Sequence, residues 1–174
     1  MPILTTNIDA LKRLASFPLD AMLQEVGPMA LVQRAATGAS QATLYKQLSR
    51  TIETEGRPQV ARHALSLMLG LDEGLVVPLG REGPEGTLVL GRADDVDVQL
   101  FDGSVSGHHA RLGFDAWKRL AWIEDLGSTN GTLVNGAPLK GLTQLSEGNV
   151  VSLGDETAFL FLRTETLYAL VRTR

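Results

Sequence analysis

Apolar positions change their period part-way along this 174-residue chain. In the first seventy residues they recur at three- and four-residue intervals, the spacing that puts side chains on one face of a helix. Ile8, Leu11, Leu14 and Ala15 follow Asn7, a residue suited to cap a helix, and predict a first helix that ends before Pro18. Leu19, Met22, Leu23 and Val26 predict a second, stopping at Gly27-Pro28. A helical restart is expected over Met29 to Ala36, with a proline in its first turn and a stop at Thr37-Gly38. Leu44, Leu48 and Ile52 after Ser40, then Val60, Ala64, Leu67 and Met68 after Arg57-Pro58, predict two more. Residues 1–70 thus read as a domain or extension of four or five helices, either ordinary packing or a partner-binding or dimerising surface.

Beyond Gly70 the period falls to two and glycines multiply. Short strands are expected over Leu75 to Leu79, Thr87 to Leu90, Val96 to Leu100, His109 to Phe114 and Leu120 to Glu124. Thr132 to Val134, Val150 to Leu153 and Ala158 to Leu162 continue the series, and Thr166 to Val171 closes it as a short helix. Turn chemistry separates them at Gly83-Pro84, Asp102-Gly103 and Gly127-Ser128. Many close-spaced strands without intervening helices indicate an antiparallel sandwich or barrel, so the fold class expected is α+β, with a division near residue 70. Trp117 and Trp122 read as sheet-packing residues.

Composition narrows the function more than the fold. With 44% hydrophobic and 21% charged residues the chain can bury a core, and no apolar run reaches the roughly 18 residues that span a bilayer. With no secretory leader at Met1 to Thr6, a cytoplasmic protein without membrane contact is expected. No cysteine is present, and His63, His108 and His109 are the only imidazoles, so no metal or cofactor is expected. His108 and His109 are strand neighbours facing opposite ways and poorly placed to share an ion. The net charge of −4 is uneven: residues 1–70 carry seven Lys/Arg against five Asp/Glu, and residues 71–174 nine against fifteen. An acidic domain with few aromatics offers no nucleic-acid footprint. Phosphate-cradling, nucleophile-elbow and zinc-helix motifs are absent, and no enzymatic activity is expected.

Three loop segments carry the remaining signal: Leu90-Gly91-Arg92, Val105-Ser106-Gly107-His108-His109-Ala110, and Asp125-Leu126-Gly127-Ser128-Thr129-Asn130-Gly131-Thr132, followed by Asn135-Gly136. Singly each is commonplace, Asn-Gly being the commonest two-residue hairpin signal. In this order, with fourteen residues from Arg92 to Ser106 and about two dozen more to the Ser-Thr-Asn-Gly loop, they resemble the forkhead-associated (FHA) family over about residues 74–163.

The resemblance implies an FHA/SMAD-like sandwich of two antiparallel sheets that binds a phosphothreonine-containing segment across loops at one end. It implies phosphate contacts from Arg92, Ser106 and Thr129, and a contact to the ligand backbone from Asn130. Gly107, His108 and Ser128 are candidates for additional contacts, while Gly91, His109, Gly131, Asn135 and Gly136 shape the loops. Two positions depart from the family pattern. Gly107 replaces a long or amide-bearing residue that touches the ligand, and His108 stands where a basic residue is frequent, which would weaken the site or make it pH-sensitive. Standing alone, Arg92 would read as a surface arginine paired with Asp94, Asp95 or Asp97.

Two functions remain open. The first is a phosphothreonine-reading adaptor in Ser/Thr kinase signalling, whose partner is a kinase or its substrate. A variant of it is self-association through phosphorylated Thr6, which has Asp9 three residues on. The second is a phosphate-independent scaffold that works through the sandwich and the N-terminal helices.

Overall fold

The computed structural model describes residues 5–33, 75–80 and 85–172; the helices expected over 40–52 and 57–68 and the turn at 83–84 lie outside them. Strand β1 (Thr6–Asn7) leads into helices α1 (Ile8–Leu14) and α2 (Leu19–Val26), then strands β2 (Met29–Gln33) and β3 (Leu75–Leu79). There follow β4 (Glu85–Gly91), β5 (Val98–Gln99), β6 (Ala110–Asp115), β7 (Leu120–Asp125), β8 (Thr132–Val134) and β9 (Ala137–Pro138). Strands β10 (Thr143–Leu145), β11 (Val150–Leu153) and β12 (Thr157–Arg163) and helix α3 (Thr164–Arg172) complete the described chain.

The two N-terminal helices form as the pattern predicts. Asn7 Oδ1 accepts the Ala10 N–H at 2.8 Å, satisfying one of the free donors at the start of α1. Gly27, at φ 79°, ends α2 and donates its N–H to the Leu23 carbonyl at 2.9 Å.

The strands form two sheets, one ordered β1-β3-β2-β12-β11-β8-β9 and the other β10-β7-β6-β4-β5. Pairing is antiparallel except for the two-residue parallel contact of β4 with β5. Between the sheets lies one core, in which Met29, Leu31, Val77, Phe159 and Phe161 meet Leu88, Leu90, Leu112 and Ile123. A second cluster covers the outer face of the larger sheet, where Ala30, Val32, Val76, Leu160 and Leu162 pack beneath Ile8 and Leu11 of α1, Met22 and Val26 of α2, and Leu167 and Val171 of α3. The molecule is therefore a sandwich with a helical layer on one side.

This arrangement corrects two expectations. Met29–Gln33 is a strand, not the start of a helix, and it pairs with β12 on one side and β3 on the other. Its odd positions face one core and its even positions the other, so the run is apolar without alternation and loses the period-two signature of a half-buried strand. Residues 5–33 thus belong to the sandwich, and the division expected near residue 70 does not hold for them. Trp117 is also misread: it is 82% exposed in the β6–β7 hairpin, whereas Trp122 lies flat over Gly113, where a Cβ would stand 2.2 Å from the ring.

Leu31 is fully buried in the centre of the larger sheet. Leu31→Ala should lower the unfolding free energy measured in denaturant by about 2–5 kcal/mol, the usual range for a leucine cavity in a core. A loss below about 0.5 kcal/mol, the level of an ordinary surface change, would place residues 29–33 outside the cooperative fold.

Candidate functional site

The ends of β4 and β7 and the start of β6 lie together, because β6 pairs antiparallel with both: Leu90 and Asp125 are each in register with Ala110. This sheet geometry brings the three loop segments to one end of the sandwich. Gly91 permits their close approach, since a Cβ there would stand 1.9 Å from the Gly107 carbonyl oxygen. The Arg92 N–H donates to the Ser106 carbonyl at 2.9 Å and its Nε to the Val105 carbonyl at 3.2 Å, which lays the guanidinium along the Ser106 loop. Arg92 is exposed, and among the described residues it has no carboxylate partner. Asp97 instead accepts from the Val89 N–H at 2.8 Å, and Asp95 faces His108 at 3.1 Å.

Ser106 and Thr129, twenty-three positions apart, meet across the gap between loops. The Thr129 N–H donates to Ser106 Oγ at 3.0 Å, and the two hydroxyl oxygens are 3.5 Å apart. Asn130 Nδ2 donates to the Ser104 carbonyl at 2.8 Å. Four residues expected to act together are thus on the same rim, each at least partly exposed.

His109 holds this rim from beneath and is completely buried. The Ser106 N–H donates to its Nδ1 at 3.0 Å, and a backbone N–H can only donate, so Nδ1 carries a lone pair. The proton therefore sits on Nε2, which donates to the Gly131 carbonyl at 2.9 Å. A neutral imidazole of one defined tautomer ties the Ser106 loop to the Thr129 loop.

The other loop residues resolve into distinct roles. The Ser128 hydroxyl donates to Asp125 at 2.6 Å and accepts the Gly131 N–H at 2.9 Å, so it serves the loop's own shape. Asn135 (φ 52°) and Gly136 (φ 80°) make the tight β8–β9 turn, both in the left-handed region that this turn needs. Asn135 also brackets Val150, donating its N–H to the Val150 carbonyl at 2.8 Å and accepting the Val150 N–H at 2.9 Å. His108 is exposed and turned toward Asp95. At Gly107 the space is open: a Cβ would meet only the Ala93 Cβ, at 3.7 Å. A hollow of about 650 Å³ lies at the opposite end, between Arg119, Leu120 and Leu145 on one side and Phe161 and Glu165 on the other, away from these loops.

The organising role of Asp125 was missed from the sequence. Its carboxylate accepts from the Gly127 N–H at 2.9 Å, the Ser128 N–H at 2.8 Å, and the Ser128 and Thr132 hydroxyls at 2.6 Å each. Burial acts to raise its pKa, but these hydrogen bonds outweigh burial and hold it below the ordinary value. The available signal was an Asp followed by Ser at the third position, the spacing of a side-chain-capped turn.

Because the folded carboxyl is the stronger acid, its contribution to stability is complete above the unfolded value of about 3.9 and is lost as pH falls through the lower folded value. Asp125→Asn should therefore reduce stability at neutral pH and flatten the decline below about pH 4, read as melting temperature against pH. Parallel profiles for the two proteins would remove Asp125 from this role.

Residues 88–154 match the sequence model of the FHA domain. The FHA domain-containing protein FhaA of Mycobacterium tuberculosis is 40% identical over 91 residues, covering 51% of this chain and 16% of FhaA. FhaB of the same species is 34% identical over 95 residues, covering 53% of this chain and 58% of FhaB. The chain thus spans a small part of one relative and somewhat over half of the other. The crystal structure of the FhaA FHA domain complexed with the intracellular domain of Rv3910 aligns at 34% identity over 53% of this chain and 90% of that chain, with a TM-score of 0.44. With its loop motifs gathered on one rim and residues 88–154 matched to the family's sequence model, the part of the sandwich that carries the rim is a forkhead-associated domain.

Proposed function

We propose that the rim formed by Arg92, Ser106, Thr129 and Asn130 binds a phosphothreonine-containing segment of a partner protein, and that the domain acts as an adaptor in Ser/Thr kinase signalling. The observation that carries this reading is the exposed Arg92, without a carboxylate partner among the described residues although Asp95 and Asp97 lie within five positions of it. A guanidinium is a planar fork that matches phosphate oxygens, and phosphothreonine brings about −1.5 to −2 charges and three acceptors. Ser106 and Thr129 add hydroxyl donors beside it. The acidic balance of residues 71–174 opposes an anion at long range, so affinity comes from short, preorganised bonds.

The partner is a kinase or its substrate, reached through the phosphorylated residue. The scaffold alternative is weakened by the fold, because the apolar faces of α1 and α2 are turned onto the sheet. Self-recognition through Thr6 would require β1 to leave its pairing with Val76.

Calorimetric titration of a phosphothreonine peptide library tests the proposal. Arg92→Ala should weaken the best peptide by about 10- to 100-fold, the value of a charge-assisted contact. Equal binding by the two proteins, or binding that survives phosphatase treatment of the peptide, would sink it. The open space at position 107 gives a second expectation: Gly107→Asn should tighten binding by up to about tenfold by adding one contact. Unchanged binding would show that the ligand does not pass position 107, and weaker binding that it passes too close to admit the side chain.

A further inference from the structure

Three segments of the rim converge on Ser104, a residue outside the family motif. Its N–H and hydroxyl both donate to Asp102 Oδ1 at 2.8 Å, and its Oγ accepts the Asp155 N–H at 2.9 Å. Its carbonyl accepts from Asn130 Nδ2. Asp102 is anchored in turn by the Thr157 hydroxyl, which donates to Oδ2 at 2.6 Å from the first residue of β12. Gly154 closes the turn against this serine: a Cβ there would stand 2.5 Å from the Ser104 carbonyl oxygen, and the Gly154 N–H reaches the Gly131 carbonyl at 3.2 Å. The β11–β12 turn thus touches the loops that carry Ser106 and Asn130. Burial pushes the Asp102 carboxyl up, while the Thr157 and Ser104 donors more than offset it and keep the group a stronger acid than usual.

A carboxamide has one donating and one accepting end. The Ser104 carbonyl can only accept, so it takes the NH₂ end of Asn130 and leaves Oδ1 turned away from that bond. The complement of that free oxygen is an N–H, such as a peptide backbone offers. We infer that Ser104 is a positioning residue: held by Asp102, Thr157 and the β11–β12 turn, it orients Asn130 so that Oδ1 accepts a backbone N–H of the ligand beside its phosphothreonine. The inference rests on the phosphothreonine reading and deepens it. It makes the register of the ligand depend on a hydrogen bond relay that reaches β12.

A double-mutant cycle on the full chain tests it, using the best phosphothreonine peptide. Ser104→Ala should weaken binding about 3- to 10-fold, the value of one hydrogen bond, and should cost almost nothing further in an Asn130→Ala background. Thr157→Val, a near-isosteric change that deletes the hydroxyl, should weaken binding in the same direction, and Thr157→Ser should restore it. The side-chain NH₂ resonances of Asn130 should shift in Thr157→Val, which does not touch Asn130 directly. Wild-type affinity in Ser104→Ala and Thr157→Val, or equal losses with and without the Asn130 side chain, would overturn the relay and leave the phosphothreonine reading standing. Should the wild-type chain bind no phosphothreonine peptide, that reading fails and the ligand contact of Asn130 with it, while the Asn130 resonances still decide the relay within the protein: unmoved by Thr157→Val they overturn it, shifted they support it.

Discussion

His109 has no contact with solvent, and each of its ring nitrogens meets a backbone group of a different loop. That bridge is the constraint on which the shape of the rim depends. A polar ring buried without partners would cost several kcal/mol, so the Ser106 and Thr129 loops must stay where they satisfy it. The buried ring thereby sets the spacing between the loop that carries Ser106 and the loop that carries Thr129. The neighbouring imidazole, His108, is exposed and turned to Asp95, and no such burden falls on it.

Carboxylates do the same work at the loop bases. Asp125 gathers four donors from its own loop, and Asp102 gathers three, including one from β12. The domain is acidic, yet it places two of its negative charges behind the rim, where they are consumed in holding N–H and O–H groups. Arg92 stays free of them. Local donors, not the sign of the whole surface, therefore decide what the loops accept.

The helical layer and the sheet are mutually dependent. Strand β2 supplies Met29 and Leu31 to the inter-sheet core, and Ala30 and Val32 to the helix-covered face. Its neighbour β12 does likewise with Phe159 and Phe161 on one side and Leu160 and Leu162 on the other. Helices α1, α2 and α3 are what allow those outer faces to be apolar. Through Thr157, β12 also reaches the rim, so a strand buried on both faces is tied to the loops there.

By itself the sequence determined the local grammar. The α1 and α2 stripes, the Asn7 cap, most of the strands after Gly70, the Asn135-Gly136 turn and the order of the loop motifs all rest on neighbours within a few residues, and all are present in the fold. The four rim residues follow from the family resemblance that this order carries. What only the tertiary structure decided are the relations between distant segments. Met29–Gln33 reads as a helix until β3 and β12 take its two edges, because a strand buried on both faces shows no alternation. Trp117 has the composition of a core residue and lies outside because hairpin geometry places it there. No spacing rule links Ser104 to Asn130 or Asp102 to Thr157, since hydrogen bonds across tens of residues leave no period in the chain. Periodicity records which face a side chain takes on its own element, and the packing of elements decides what that face meets.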